Sequence, residues 1–225
     1  MLLLAVDTSG KHGSVALAEC GPGGECTILE LVPLTGGTFS AQLVPQIAAL
    51  LEKHAFTKRD VGAFAVASGP GSFTGLRVGL AAIKALAEVL QKPIAAVSLL
   101  EAIVDSSHSG GKVLAVLDAG RNEVYVGDFE IRGPEKHLIH EKLINRERCF
   151  DSAGYATIVS PDQTLVEGAR SLGLKVEEVD HPQSDLIARI GWRKIRAGQA
   201  VSPRELEANY IRRSDAEIFA RSIPG

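Results

Sequence analysis

Residues 66–90, VASGPGSFTGLRVGLAAIKALAEVL, decide how the fold is read. The apolar run from Gly62 to Ser68 has the length of one buried strand. It breaks at Gly69-Pro70-Gly71 and gives way from Leu76 to a helical pattern. The segment therefore predicts strand, glycine loop, helix. Gly69, Gly71 and Gly75 permit close backbone approach, Pro70 stiffens the turn, and Ser72 or Thr74 can cap the helix. Such a helix start serves either as an anion site or as a tight packing junction, and the residues alone leave both open.

The helix carries more apolar surface than one contact needs. Between Leu76 and Leu90 only Arg77, Lys84 and Glu88 are charged, and their spacing of seven and four places them on one narrow stripe. Leu76, Leu80, Ile83, Leu86 and Leu90 can cover a sheet, which leaves Val78, Gly79, Ala81, Ala82, Ala85 and Val89 as a second surface of small residues. The stretch Thr38–His54, TFSAQLVPQIAALLEKH, repeats this surplus: Leu43, Ile47, Leu50 and Leu51 can face a sheet while Val44, Ala48 and Ala49 extend the apolar face. Two such helices side by side form a patch that monomers seldom leave exposed, so a partner interface is expected at Leu43, Val44, Ile47 and Ala48 together with the second surface.

Outward from this centre, Leu2–Asp7, His12–Ala18 and Cys26–Val32 read as an antiparallel meander, and Asp7-Thr8-Ser9-Gly10 presents a carboxylate and hydroxyls at a strand end. Strands at 93–97, 156–160 and 175–179 and helices at 98–104, 161–172 and 184–197 follow. Ser106–Gly111, SSHSGG, is the expected linker, after which Val113–Ala119 and Glu123–Ile131 repeat the opening strand pair, with Asp118 mirroring Asp7. The tail from Glu205 reads as an extended NYIRR and a short helix capped by Ser214. The expectation is an α/β chain with a first lobe at 1–105, a reduced second lobe at 106–208, and a segment 209–225 that returns to the first lobe.

Composition excludes several classes. A formal charge of −3 over 225 residues does not suit general nucleic-acid binding, although 184–225 holds eight Lys or Arg against five Asp or Glu. Cys20, Cys26 and Cys149 are irregularly spaced, so neither a zinc site nor a disulfide is expected, and a reduced, cytoplasmic setting follows. The opening MLLLAVDTSG has too short an apolar run for a signal peptide, and no later stretch suits a membrane span. GxxxxGK[ST], HExxH, GxSxG and CxxC are absent. Gly69-x-Gly71-x-x-x-Gly75 resembles a relaxed dinucleotide fingerprint, but it follows several strands instead of opening the βαβ unit and lacks a downstream acid for a ribose. His137 and His140 in HLIH sit in strand-like sequence that points them to opposite faces, against a metal site.

The segments LLLAVDTS, SGPGSFTGLRVGLAAIKALA, IAAVSLLEA, VLDAGRNEVYVG and ANYIRRSDAE, in this order, resemble the TsaB (YeaZ) family over nearly the whole chain. The resemblance implies the two-lobed actin/Hsp70/sugar-kinase architecture with a degenerate second lobe. It implies a noncatalytic part in forming N6-threonylcarbamoyladenosine at position 37 of tRNAs that read codons beginning with A. It further implies pairing with the related catalytic subunit TsaD, or with a second copy when TsaD is absent, alongside the ATPase TsaE and TsaC, the maker of threonylcarbamoyl-adenylate, with tRNA reached through the complex. TsaD-type enzymes hold a metal through paired histidines on the helix that corresponds to 38–54. No such pair occurs here, and Phe39 stands where many family members have His, so no metal or cofactor is expected. Asp7, Ser9, Gly71 and Ser72 become vestiges of a nucleotide-facing site. The alternative is a nucleotide-dependent enzyme or peptidase acting through Asp7 and the 68–75 loop, with Ser72 a candidate nucleophile.

Overall fold

The computed structural model describes residues 1–35, 38–152 and 156–212. Its elements run β1 (Leu2–Asp7), β2 (Gly13–Cys20), β3 (Cys26–Leu34), α1 (Phe39–Lys53), β4 (Val61–Gly69), α2 (Phe73–Leu90), β5 (Ile94–Ser98) and α3 (Leu99–Asp105). The same succession then returns as β6 (Gly111–Gly120), β7 (Glu123–Arg132), β8 (Glu135–Asn145), α4 (Arg146–Ser152), β9 (Thr157–Ser160), α5 (Gln163–Ser171), β10 (Val176–Glu178) and α6 (Ser184–Arg196). Both halves build a five-stranded mixed sheet, ordered β3-β2-β1-β4-β5 in one and β8-β7-β6-β9-β10 in the other. The two orders are the same plan, an antiparallel meander extended by two parallel strands. Reduction of the second half is one of length: α4 and α5 have 7 and 9 residues where α1 and α2 have 15 and 18.

The chain divides into two units, and the division corrects the expected lobes. The first unit joins 1–102 with 182–209, and the described residues from Tyr210 fall in the second unit instead of returning to the first. The returning segment is 182–209, α6 included. The reason is visible in its packing. α6 lies on β1, β2, β4 and β5, where Gly191 leaves room for Ala65 and Ala95. At its start Ser184 donates its hydroxyl to the Ser14 carbonyl at 2.6 Å, wholly buried. Trp192 is buried on this helix, as the sequence suggests, within the first unit. Asn209 N–H donates to Ser68 O at 2.7 Å, fixing the chain at the end of β4. The helix expected after Ser214 lies outside the described residues.

A cluster containing Leu4, Val6, Leu17, Phe64, Leu76 and Ile83 forms the core of the first unit beneath α1 and α2. The nearly continuous apolar runs of β1 and β4 suit strands covered on both faces, α1 and α2 on one side and α6 on the other. α1 is continuous through Pro45, which lies on its exposed side. Cys20 and Cys26 form a disulfide, contrary to the expectation of three free thiols. They face each other across the β2–β3 ladder with Cα atoms 4.1 Å apart, a pairing that hairpin register creates and that spacing alone does not announce. Cys149 is buried, and that burial pushes its thiol up to about 11.

The second unit has its own core around Val116, Val126, Ile158 and Leu165. The segment SSHSGG, expected as a linker, is held by one carboxylate. Glu177 accepts the backbone N–H groups of His108 at 2.7 Å and Ser109 at 3.0 Å, and the Ser109 hydroxyl as well. Partial burial opposes its charge, but the hydrogen bonds from Ser109 and His108 outweigh this and hold Glu177 below the ordinary glutamate range. A depressed carboxyl contributes stability above its unfolded pKa and loses it as pH falls through its folded one. Glu177→Gln is therefore expected to lower stability by about 1 kcal/mol at pH 7 and to accelerate hydrogen exchange at the His108 and Ser109 amides, with the difference from the parent protein lost as pH falls through the depressed folded pKa of Glu177.

Candidate functional site

The strand-end turn and the glycine loop meet, but they meet each other. β1 delivers Asp7, Thr8 and Ser9 to its carboxyl end, where all three are at most 2% exposed. Asp7 Oδ1 accepts the backbone N–H of Ser9 at 2.8 Å and the Ser9 hydroxyl at 2.5 Å, so that oxygen is occupied within its own turn. Ser72 N–H donates to the Ser9 carbonyl at 2.6 Å, and the Thr8 hydroxyl donates to the Gly75 carbonyl at 2.7 Å. The turn thus fills the cradle that a phosphate would need.

This arrangement explains the glycines. A Cβ on Gly71 would strike the Ser9 carbonyl, one on Gly75 the Thr8 carbonyl, and one on Gly79 the Thr8 hydroxyl. Gly69 has φ +116°, and the Gly69–Pro70 peptide is cis. Ser72 caps α2 by accepting Gly75 N–H at 3.3 Å, which uses the hydroxyl proposed as a nucleophile in structural duty. Of the expected nucleotide-facing set, Asp7, Ser9, Gly71 and Ser72 are brought together as a packing junction. Thr8, read in the sequence only as one hydroxyl of the strand-end turn, is its central plug. The signal was present in Gly75 and Gly79, four residues apart on one helix face and therefore able to admit one side chain from a neighbouring turn.

The expected interface separates into two sets. Leu43, Ile47 and Gly79 are buried in the first unit and cannot reach a partner. The first two cover the sheet, and the third receives Thr8. Val44 is 57% and Val89 76% exposed, and Ala48, Ala81 and Ala85 are exposed with them. Val78 and Ala82 are half-buried and pack against the core on the same helix. α1 and α2 are in direct contact. Burying either exposed valine in full is worth about 1.5–2 kcal/mol.

Other candidate groups stay apart. His137 lies near Glu135 and His140 near Asp128, both exposed on β8. Among the described residues no three His, Cys, Asp or Glu side chains converge as metal ligands. Asp118 sits at its strand end as expected, but its carboxylate pairs with Arg146 at 3.1 Å and its N–H donates to Asp162 at 2.6 Å. No helix among the described residues is long and apolar enough to cross a membrane.

The junction makes a direct test available. Gly75→Ala is expected to cost about 3 kcal/mol in urea unfolding, because backbone and not a flexible side chain stands in the way. Thr8→Ser, which keeps the hydroxyl, is expected to cost less than Thr8→Val, which leaves the Gly75 carbonyl unpaired.

Comparison with known proteins agrees with this geometry. A family model described as TsaD, tRNA N6-adenosine threonylcarbamoyltransferase, matches residues 34–177. The tRNA threonylcarbamoyladenosine biosynthesis protein TsaB of Haemophilus influenzae is 36% identical over 239 residues, covering 100% of this chain and 98% of the relative. Its Bacillus subtilis counterpart is 33% identical over 230 residues, covering 96% of each. The solved structure of YeaZ from Pseudomonas aeruginosa superposes with a TM-score of 0.71 at 26% identity, over 93% of this chain and 99% of that one. Full-length similarity and the duplicated α/β plan together place the chain in the TsaB family of tRNA threonylcarbamoyladenosine biosynthesis proteins, with the actin/Hsp70/sugar-kinase type of fold.

Proposed function

We propose that the chain is a noncatalytic docking subunit for N6-threonylcarbamoyladenosine formation at position 37 of tRNAs reading codons that begin with A, in the cytoplasm. It pairs with TsaD through the exposed faces of α1 and α2 and helps recruit TsaE, while TsaC supplies the threonylcarbamoyl-adenylate. A second copy takes the same face when TsaD is absent. The observation that carries this reading is the apolar strip of Val44, Ala48, Ala81, Ala85 and Val89, which a monomer gains nothing by exposing. The small residues favour it further, since alanines let a partner helix approach closely over a broad contact. Docking need bind one state of TsaD only a few kcal/mol better than another to shift its population decisively.

The nucleotide-enzyme or peptidase alternative loses its main supports: Asp7 is buried and bonded to Ser9, and Ser72 is a helix cap. Ala82 is half-buried against the core, so a charge there perturbs the fold as well as the face. Ala85 is the cleaner position because it is exposed.

In a mixture of the purified chain with its cognate TsaD and TsaE, threonylcarbamoyl-adenylate and tRNA, modification is expected to require the chain. Ala85→Arg is expected to abolish both complex formation and modification while leaving unfolding free energy within about 0.5 kcal/mol of the parent. Full activity from a variant that no longer binds TsaD, or turnover of a substrate by the chain alone that Asp7→Asn removes, would overturn the docking role.

A further inference from the structure

β8 is the end strand of its sheet, hydrogen-bonded along one side to β7. It is 11 residues long, and Glu135 through His140 are all exposed. Leu138 and Ile139, 50% and 57% exposed, form the middle of that stretch. Among the described residues no strand pairs with its outer side, so a row of backbone N–H and C=O groups faces outward there. Charge on such an edge ordinarily keeps other strands away. Here the charges are ordered: residues 135–142, EKHLIHEK, are their own electrostatic complement about the midpoint between Leu138 and Ile139.

We propose that β8 is an interface with a second copy of this chain, the two β8 strands pairing antiparallel across a two-fold axis between Leu138 and Ile139. In that register Glu135 faces Lys142 of the second copy, Lys136 faces Glu141, and Leu138 faces Ile139, each contact made twice by symmetry. Slipping one residue either way sets Lys136 against Lys142 or Glu135 against Glu141, so charge selects the register. Backbone geometry selects the same one. A regular strand turns the N–H and C=O of alternate residues outward, and two-fold pairing of such a strand requires one residue to lie opposite its own copy. β8 carries one extra residue, Ile139, where Phe129 pairs with Leu138 and Asp128 with His140. That bulge shifts the alternation by one, so residues equidistant from the 138/139 midpoint turn their backbone groups to the same side. Lys136 already pairs with Asp105 at 2.6 Å, and its ammonium keeps donors for a second carboxylate. The Glu135–His137 contact at 3.2 Å is exposed and costs little to exchange. One strand pair is smaller than a standard interface, so the dimer is weak and forms at micromolar concentrations. The contact uses neither α1 nor α2 and does not depend on the docking reading.

Sedimentation equilibrium of the full chain tests the interface, with Ala85→Arg present throughout to remove any self-association through the helix face. In that background a monomer–dimer equilibrium is expected between about 5 and 200 µM. Glu135→Lys alone and Lys142→Glu alone each set like charges opposite one another and are expected to weaken association about tenfold or more at unchanged melting temperature. The double variant Glu135→Lys/Lys142→Glu is expected to restore it, and so is an equimolar mixture of the two single variants, whose unlike copies complement each other. A monomer throughout that range, a dimer indifferent to both single changes, or a loss that the double variant does not rescue would each overturn the proposal.

Discussion

The first unit depends on the insertion of Thr8 between β1 and α2. A threonine is a costly residue to bury, and here its hydroxyl is satisfied by the Gly75 carbonyl while its bulk is admitted by two glycines one helical turn apart. That contact fixes how closely α2 approaches the sheet. It also sets which side of α2 faces inward: Leu76, Leu80 and Ile83 follow Gly75 and Gly79 into the core, and Ala81, Ala85 and Val89 are left outside. The exposed apolar strip is therefore a geometric consequence of the same junction.

Much of this was legible from residue order. β1, β4, α1, α2, α5 and α6 lie within a few residues of their expected bounds because each carries a strong period or a clear cap. Ser72 caps α2, and Gly173 and Gly198, with φ of +72° each, follow α5 and α6. What was not legible required knowledge of the third dimension. Gly79 looks like part of a small-residue surface until its neighbour is known to be Thr8, and Leu43 and Ile47 satisfy an interface pattern and a core pattern equally. The Cys20–Cys26 bridge depends on a ladder register that the glycine-rich loop between them conceals.

The two halves share strand order yet differ in what their strand ends do. Asp7 is buried and bonded to its own turn, whereas Asp118 is exposed and paired with Arg146. Helix length follows the same divergence: α4 and α5 are shorter than α1 and α2, as β9 and β10, of 4 and 3 residues, are shorter than β4 and β5, of 9 and 5. Among the described residues the apolar cluster of the second unit is the smaller of the two, and Glu177 fastens one of its loops through backbone hydrogen bonds.

The place of α6 also governs the order in which the polypeptide can become stable. The first unit is interrupted in sequence, and the helix that covers one face of β1, β4 and β5 is made after roughly 80 intervening residues. At about 5–20 residues per second of synthesis, that face waits several seconds on the ribosome without its own cover. The β2–β3 hairpin, whose two strands are neighbours in sequence, can pair long before α6 is made. Because α1 and α2 lie on the opposite side of the same sheet, the exposed apolar strip they carry gains its final support only when α6 packs.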